Sequence, residues 1–348
     1  MALIPKKEWK PGFNFKMIAA AIILLMLTVF GVWILIIMPA SGDEITMTEL
    51  TSGEKETARQ LEADVRTLAE EIGERNMHTA GTMERTVSWI EKRMKNSGFY
   101  PSRQSYEIGG FRYSGQTADN LIAELEGTEQ PNKIVVVGAH YDSVSGSPGA
   151  NDNASAVAVL LALAEYFADR PQPQTVRFVA FANEEPPFFL SRKMGSYAYA
   201  RHCKNIGEDI TAMMALDGLG YYRDEPGSQS YPVPGIGFFY PNTANFIGFV
   251  TRIRDTGLMR RALGAFRKKA TISSEGAALP GFVPGVYWSD HWSFWKHGYP
   301  AFLVTDTLLF RDPEYHAPGD TPERLDYYRM ARVAGGLKYV VKKLANSP

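Results

Sequence analysis

Polar residues recur where apolar runs stop. "VVVGAHYDS" ends in His140 and Asp142, and "PGANDNASA" sets Asp152 in a Gly/Asn turn before an apolar helix pattern. "VRFVAFANEEPPFF" ends in Glu184 and Glu185, followed at once by Pro186 and Pro187. "MMALDGLG" contributes Asp217 and "EYHAPGDT" contributes His316. Each alone has an ordinary structural explanation: a hydrogen-bonded histidine, a turn or helix-capping aspartate, a solvated loop. Together, two imidazoles and several carboxylates on converging strand ends are an electrostatic liability without a cation. Nitrogen and oxygen donors without thiolate suit zinc or a similar borderline ion. The number of donors fits two ions better than one. Ions about 3.5–4 Å apart need a bridging carboxylate, and Asp152 on its tight turn is the natural candidate. Asp142, two residues past His140, faces the same side of an extended segment and is read as the group that orients the His140 ring.

The elements around these residues alternate. "KETARQLEADVRTLAEEIG" places Leu61, Val65 and Leu68 at helical spacing, and "TMERTVSWIEKRMKNSGF" does so with Val87, Ile90 and Met94, ending at Gly98. Strand-like runs follow in "NLIAELEG", "KIVVVGAHYD" and "VRFVAFANEE", with the apolar helix pattern "ASAVAVLLALAEYFADR" between the last two. Short strands are expected at "TAMMALDGLG" and "GYPAFLVTDT", and a closing helix at "DYYRMARVAGGLKYVVKKL". Continuously apolar strands alternating with helices predict an α/β fold, a mixed and mostly parallel sheet with helices on both faces. In such sheets ligands bind outside the carboxyl ends of the strands, where the polar residues cluster. Residues 221–290 are rich in Gly, Pro and aromatics and read as a long connection or a lid over a substrate cleft.

The N-terminus has a different character. Met17–Met38 contains no charged residue and would span about 33 Å as a helix, enough for a bilayer core. Lys6, Lys7, Lys10 and Lys16 precede it against the single acid Glu8. The positive-inside rule then keeps residues 1–16 cytoplasmic, makes 17–38 a signal anchor and 39–50 a linker, and places one domain, 51–348, outside the cytoplasm. A cleaved signal peptide is the alternative, with a run long for an h-region. Basic and acidic residues number 37 and 38, so no charge excess suggests a nucleic-acid partner. The single cysteine, Cys203, excludes an internal disulfide framework and a cysteine-rich metal site, and "YARHCKN" has no recognised nucleophile context.

With these motifs in order, the chain resembles a co-catalytic zinc aminopeptidase of the M28 type. "GAHYDS", "PGANDNAS", "NEEP", "ALDG", "SDHWSFWKHGYPAFLVTDT" and "YHAPGDTPERLDYYRMA" carry the likeness over most of residues 55–345. The resemblance implies a zinc-exopeptidase (phosphorylase/hydrolase-like) fold and two zinc ions per chain, one held by His140, Asp152 and Asp217 and the other by Asp152, Glu185 and His316. It makes Glu184 the general base and Asp142 the partner of His140. Adjacent residues on an extended strand point opposite ways, which would let Glu185 grip a metal while Glu184 faces the water. Asp290 and His291 of "SDHWSFW" are expected near substrate or packed in a loop, and His78, His202 and His297 are read as structural or surface residues. Ala156 stands where relatives often carry glycine, and Asn151-Asp152 replaces a familiar double aspartate while leaving the bridging residue intact. The implied activity is release of N-terminal residues from peptides. A single-zinc acyltransferase like glutaminyl cyclase and a non-catalytic anchored binding ectodomain are the rivals. Side-chain preference, exopeptidase type, physiological metal and oligomeric state have no signature in the sequence.

Overall fold

The computed structural model describes residues 17–24, 26, 48–110 and 113–347. Helix α1 (Ser52–Arg66) begins at a capping box: the Thr51 hydroxyl accepts the Glu54 amide, and the Glu54 carboxylate accepts the Thr51 amide. It buries Leu61 and Val65. Helix α2 (Thr82–Asn96) buries Val87, Ile90 and Met94, and Gly98 at φ +94° turns the chain back just past its end. There follow β1 (Ser102–Glu107), β2 (Thr117–Leu125) and β3 (Gln130–His140). An irregular helical turn, Ala150–Ser155, leads into α3 (Ala156–Phe167), then β4 (Gln174–Phe181), α4 (Gly195–Asn205) and β5 (Asp209–Leu216). The chain continues through β6 (Phe246–Arg252), α5 (Thr256–Arg267) and β7 (Ser273–Leu279). It closes with α6 (His291–Lys296), β8 (Ala301–Thr305) and α7 (Tyr327–Ala345).

The strands form one eight-stranded sheet in the order β1-β2-β4-β3-β5-β8-β6-β7. The pairs β4–β3, β3–β5, β5–β8 and β6–β7 are parallel, whereas β1–β2, β2–β4 and β8–β6 are antiparallel. The sheet is thus mixed and mostly parallel, as the sequence predicts. Alternation explains the apolar runs: Val135, Val137, Val176 and Phe178 enter the larger core with Leu61, Phe167 and Leu337. Val136, Val179 and Phe181 enter a smaller core on the other face, with Tyr199 of α4 and Phe294 of α6. A strand covered on both faces has no polar side to display.

Residues 221–290 are more than the long connection or lid expected of them. They contain β6, α5 and β7, which add two strands to the sheet. The physical reason is that β6 also faces two apolar layers: Ile247 and Phe249 enter the larger core, while Val250 packs against the smaller one. Strand β1 and helices α4 and α6 also had no expectation attached to them. Among the described residues no helix is long and apolar enough to cross a membrane. Residues 17–24 and 26 are helical, and the rest of the expected span 17–38 lies outside the described residues.

Candidate metal centre

His140 is the last residue of β3 and is fully buried. Its Nε2 lies 3.3 Å from Asp152 Oδ1 and 3.3 Å from Asp217 Oδ1. Asp217 directly follows β5, the parallel neighbour of β3. The other oxygen of Asp152 is 3.1 Å from His316 Nε2, which is itself 3.2 Å from Glu185 Oε2. Two groups of three therefore form, His140/Asp152/Asp217 and Asp152/Glu185/His316, with the donor atoms of each within 4.8 Å of one another. Asp152 belongs to both. The donors are imidazole and carboxylate without sulfur, and Glu185 Oε1 is buried with no hydrogen-bond partner, a set that fits a pair of divalent cations.

The turn carrying Asp152 is fixed from several sides. The Asp320 carboxylate accepts the amides of Asn151 at 2.7 Å and Asp152 at 3.1 Å. The Asn151 side chain donates to Asp306 at 3.0 Å and accepts the Gly220 amide at 2.9 Å. Asn153 reaches the end of β5, donating to the Leu216 carbonyl and accepting the Gly218 amide, so the Asp152 and Asp217 backbones are tied together. Gly149 precedes the turn at φ +62°, and a Cβ there would stand 2.5 Å from the Asp152 carbonyl oxygen. The buried Arg75 donates to the carbonyls of Tyr141, Pro148 and Gly149, joining the end of β3 to this loop. Asp306, Asp320 and Arg75 were not singled out from the sequence. The two aspartates lie inside quoted motifs, "LVTDT" and "PGDT", where a carboxylate at a strand end or turn was the available signal; Arg75 in "GERN" has none.

The two glutamates are arranged differently from the expectation. Strand β4 stops at Phe181, and Asn183 at φ +57° bends the chain before them. Consequently the amides of Glu184 and Glu185 both point to Asp142, donating to its two carboxylate oxygens at 3.1 and 3.0 Å. Strand alternation does not separate these carboxylates; a turn clamped by Asp142 does. Glu184 Oε2 lies 4.0 Å from His140 Nε2, while Glu185 faces His316. The His140 Nδ1 meets Asp142 chiefly at its backbone carbonyl, 3.2 Å away, with the carboxylate at 3.5 Å. Asp142 thus orients the ring and, unforeseen, also clamps the glutamate turn.

Burial and like charge set the electrostatics. Burial pushes the Glu184 carboxyl well up, with the charges of Glu185, Asp217 and Asp290 adding to it. Burial also raises Glu185 to about 8, helped by Asp152, and raises Asp217. For Asp152 burial acts in the same direction, but hydrogen bonds to His140 and His316 outweigh it and hold the carboxyl well below its usual range. Burial opposes protonation of His316, yet its contacts with Asp152 and Glu185 lift it to about 10, and Asp217 leads the groups that lift His140. Without metal, protons supply the positive charge these carboxylates require.

Asp290 and His291, expected near substrate or packed in a loop, are both fully buried, and neither lines the cavity beside the site. Burial pushes Asp290 up to about 7 and His291 down to about 4. His291 is a packing residue: its Nε2 lies 2.8 Å from the Val286 carbonyl, and its ring meets Trp295 edge-on. His297 likewise packs, against Tyr197, and His78 lies near the Tyr113 hydroxyl. Cys203 is buried and free, consistent with a structural role.

A cavity of about 250 Å³ opens against Asp152, Glu184, Glu185, Asp217 and His316. Its walls come largely from the β6–β7 half of the sheet and the loops around it: Tyr231, Ile236, Val250, Leu279, Trp288 and Phe310. Away from the site residues, Glu275 is its only charged lining group among the described residues, 3.6 Å from Arg267 and raised by burial.

Comparison with known proteins agrees with this arrangement. The family model for peptidase family M28 matches residues 120–341. Escherichia coli (strain K12) "Uncharacterized protein YfbL" is 38% identical over 296 residues, 83% of this chain and 88% of that protein. A "probable leucine aminopeptidase" of Arthroderma otae is 30% identical over 60% of this chain, which spans only about half (54%) of that relative's length. Among solved structures, the zinc aminopeptidase of Bacillus subtilis superposes with a TM-score of 0.63 at 17% identity, over 86% of this chain and 96% of that one. The Fimbriiglobus ruber glutaminyl cyclase gives 0.59 at 18% identity, over 88% and 99%. At such identities the structures speak to the fold, which they share. The family match spans well over half of the chain and includes every residue of the two donor groups: this protein belongs to peptidase family M28.

Proposed function

We propose that the chain is a zinc-dependent aminopeptidase with two co-catalytic ions, one held by His140, Asp152 and Asp217 and the other by Asp152, Glu185 and His316. The observation that carries this reading is the pair of donor groups sharing Asp152 at the end of a cavity large enough for a side chain. Two bound zinc ions would polarise a scissile carbonyl and make water a competent nucleophile near neutral pH. The chain's own residues divide the remaining work. Glu184 lines the cavity and is in neither donor group, so it takes the proton of the attacking water and returns it to the leaving amine. Asp142 holds the Glu184 and Glu185 amides and the His140 ring in register. The apolar walls exclude water and take a bulky apolar N-terminal side chain. Names among the relatives and neighbours, leucine aminopeptidase and zinc aminopeptidase, support that choice of substrate end and side chain.

Anchoring through Met17–Met38, with residues 51–348 outside the cytoplasm, belongs to the same proposal and rests on the uncharged run and the lysines before it. The glutaminyl-cyclase reading has the shared fold in its favour. Two donor groups in place of one favour hydrolysis. Zinc analysis of the purified full-length chain, with profiling of N-blocked and unblocked peptide libraries, tests the proposal. The expected result is two zinc ions per chain, one for each donor group, and cleavage confined to unblocked peptides. One ion with cyclisation of N-terminal glutamine would replace it with the rival.

A further inference from the structure

The edge of the sheet formed by β6, α5 and β7 has a surface unlike the rest of the domain. No charged residue occurs from 226 to 251, which leads into and through most of β6, or from 276 to 289, which leads out of β7. These two stretches expose large apolar side chains within a few residues of the cavity-lining Ile236, Tyr240, Leu279 and Pro284: Phe238 is 91% exposed, Phe239 58% and Phe282 81%. Both stretches meet β7. The Tyr240 hydroxyl donates to the Gly276 carbonyl in the middle of that strand at 3.0 Å, and Phe282 follows its last residue by three positions. Between the two uncharged stretches, residues 252–269 carry seven basic side chains against the single acid Asp255, in a chain of net charge −1. Arg254, Arg261, Lys268 and Lys269 of this segment are exposed.

The linker reaches the domain at the same edge. Arg332 of α7 donates both to the Thr48 carbonyl and to the Thr271 carbonyl, two residues before β7 and two after Lys269. If Met17–Met38 crosses a bilayer, the twelve residues 39–50 can hold the domain no farther than about 40 Å from it. A basic segment beside the tether and an aromatic rim toward the other end of the same edge strand have the composition of an interfacial surface: aromatic rings settle at the headgroup level, and lysine and arginine attract anionic headgroups. We infer that the β7 edge docks on the surface of the anionic bilayer to which the chain is tethered, so that the cavity opens at the membrane and not into bulk solvent. This rests on the anchor reading above and is independent of the catalytic assignment.

The test uses the full chain reconstituted into vesicles, with an environment-sensitive fluorophore on a cysteine introduced by Phe238→Cys, Phe282→Cys or, as control, Tyr100→Cys. Cys203 is buried, and Tyr100 is 97% exposed at the opposite edge, just before β1. In vesicles containing phosphatidylglycerol and lipids spin-labelled near the headgroup, the 238 and 282 probes are expected to be quenched at least twofold more than the 100 probe. Pure phosphatidylcholine, or the combined Arg261→Glu, Lys268→Glu and Lys269→Glu change, should reduce that difference. Equal quenching at all three positions, in a chain that co-floats with the vesicles, overturns docking and leaves the anchor standing. Failure to co-float overturns both. Probe-to-probe energy transfer between copies without lipid quenching would assign the surface to a second copy of the chain and also overturn the proposal.

Discussion

The two halves of the sheet do different work. Ionisable residues stand at or just past the ends of the central strands β3, β4, β5 and β8, and the two donor groups, with Glu184, are assembled at or beyond those ends. Among the described residues the β6–β7 half contributes no member of either group; it supplies apolar cavity wall, and Glu275 is its only charged lining residue. On the proposed function, one half carries the chemistry on the peptide bond and the other chooses which side chain is presented. Charge and coordination demand particular residue types at particular places. An apolar wall is satisfied by many residues of suitable volume.

The sharpest way to break that division is at the shared carboxylate. Asp152→Asn should release both ions and reduce peptide hydrolysis to background, whereas Asp217→Asn should weaken one ion and spare the other. Metal content after dialysis, measured beside activity, distinguishes them, and retention of both ions by the Asp152 variant would refute bridging. Next in size is Glu184→Gln. It should keep both ions and most substrate affinity while kcat falls about 10³-fold, within the range for a positioned general base. A wild-type rate would remove Glu184 from the chemistry.

In metal-free protein the folded pKa of His316 is raised to about 10, so its stabilising contribution is complete below its ordinary value and disappears as pH rises through about 10. Glu185 is raised to about 8, so the cost of ionising it in the fold grows between its ordinary value and about 8. Both make metal-free protein less stable with rising pH. Zinc requires deprotonated ligands and binds more strongly in the same direction. Melting temperatures between about pH 6 and pH 9 should fall without metal, by on the order of 5 °C, and the gap to zinc-loaded protein should widen. A pH-independent gap would contradict the charge arrangement. The smallest effect belongs to the cavity half: Trp288→Ala should raise KM about tenfold for a bulky apolar N-terminal residue, leave alanine substrates nearly unchanged and keep both ions. An equal loss on both substrates would mean that the wall serves the chemistry too.

The legibility of the chain follows the same division. His140, Asp152, Glu185, Asp217 and His316 stand out in the sequence because charged residues interrupt apolar runs, and the structure brings all five together. Strands β3, β4, β5 and β8 were legible because short continuous apolar runs between turn residues leave few alternatives. β6 and β7 were not. "FIGFVTR" and "SSEGAAL" mix glycine and polar residues with short apolar ones, and their burial depends on α5 packing against them. The separation of Glu184 from Glu185 was misread for a related reason, since the turn at Asn183 that replaces strand alternation is clamped by Asp142, 42 positions from Glu184.

The sequence by itself determined the donor types, the order of the polar strand ends and the alternating α/β plan, because those depend on local composition and on side chains that cannot be buried without a partner. Tertiary structure decided the rest. Contacts distant in the chain fix how the Asp152 turn is held by Asp320, Asn153 and Arg75 and how the two glutamates diverge. They also fix where Asp290 and His291 go and which apolar surface closes the cavity. No local pattern encodes such contacts, because each depends on which distant segments become neighbours when the sheet forms.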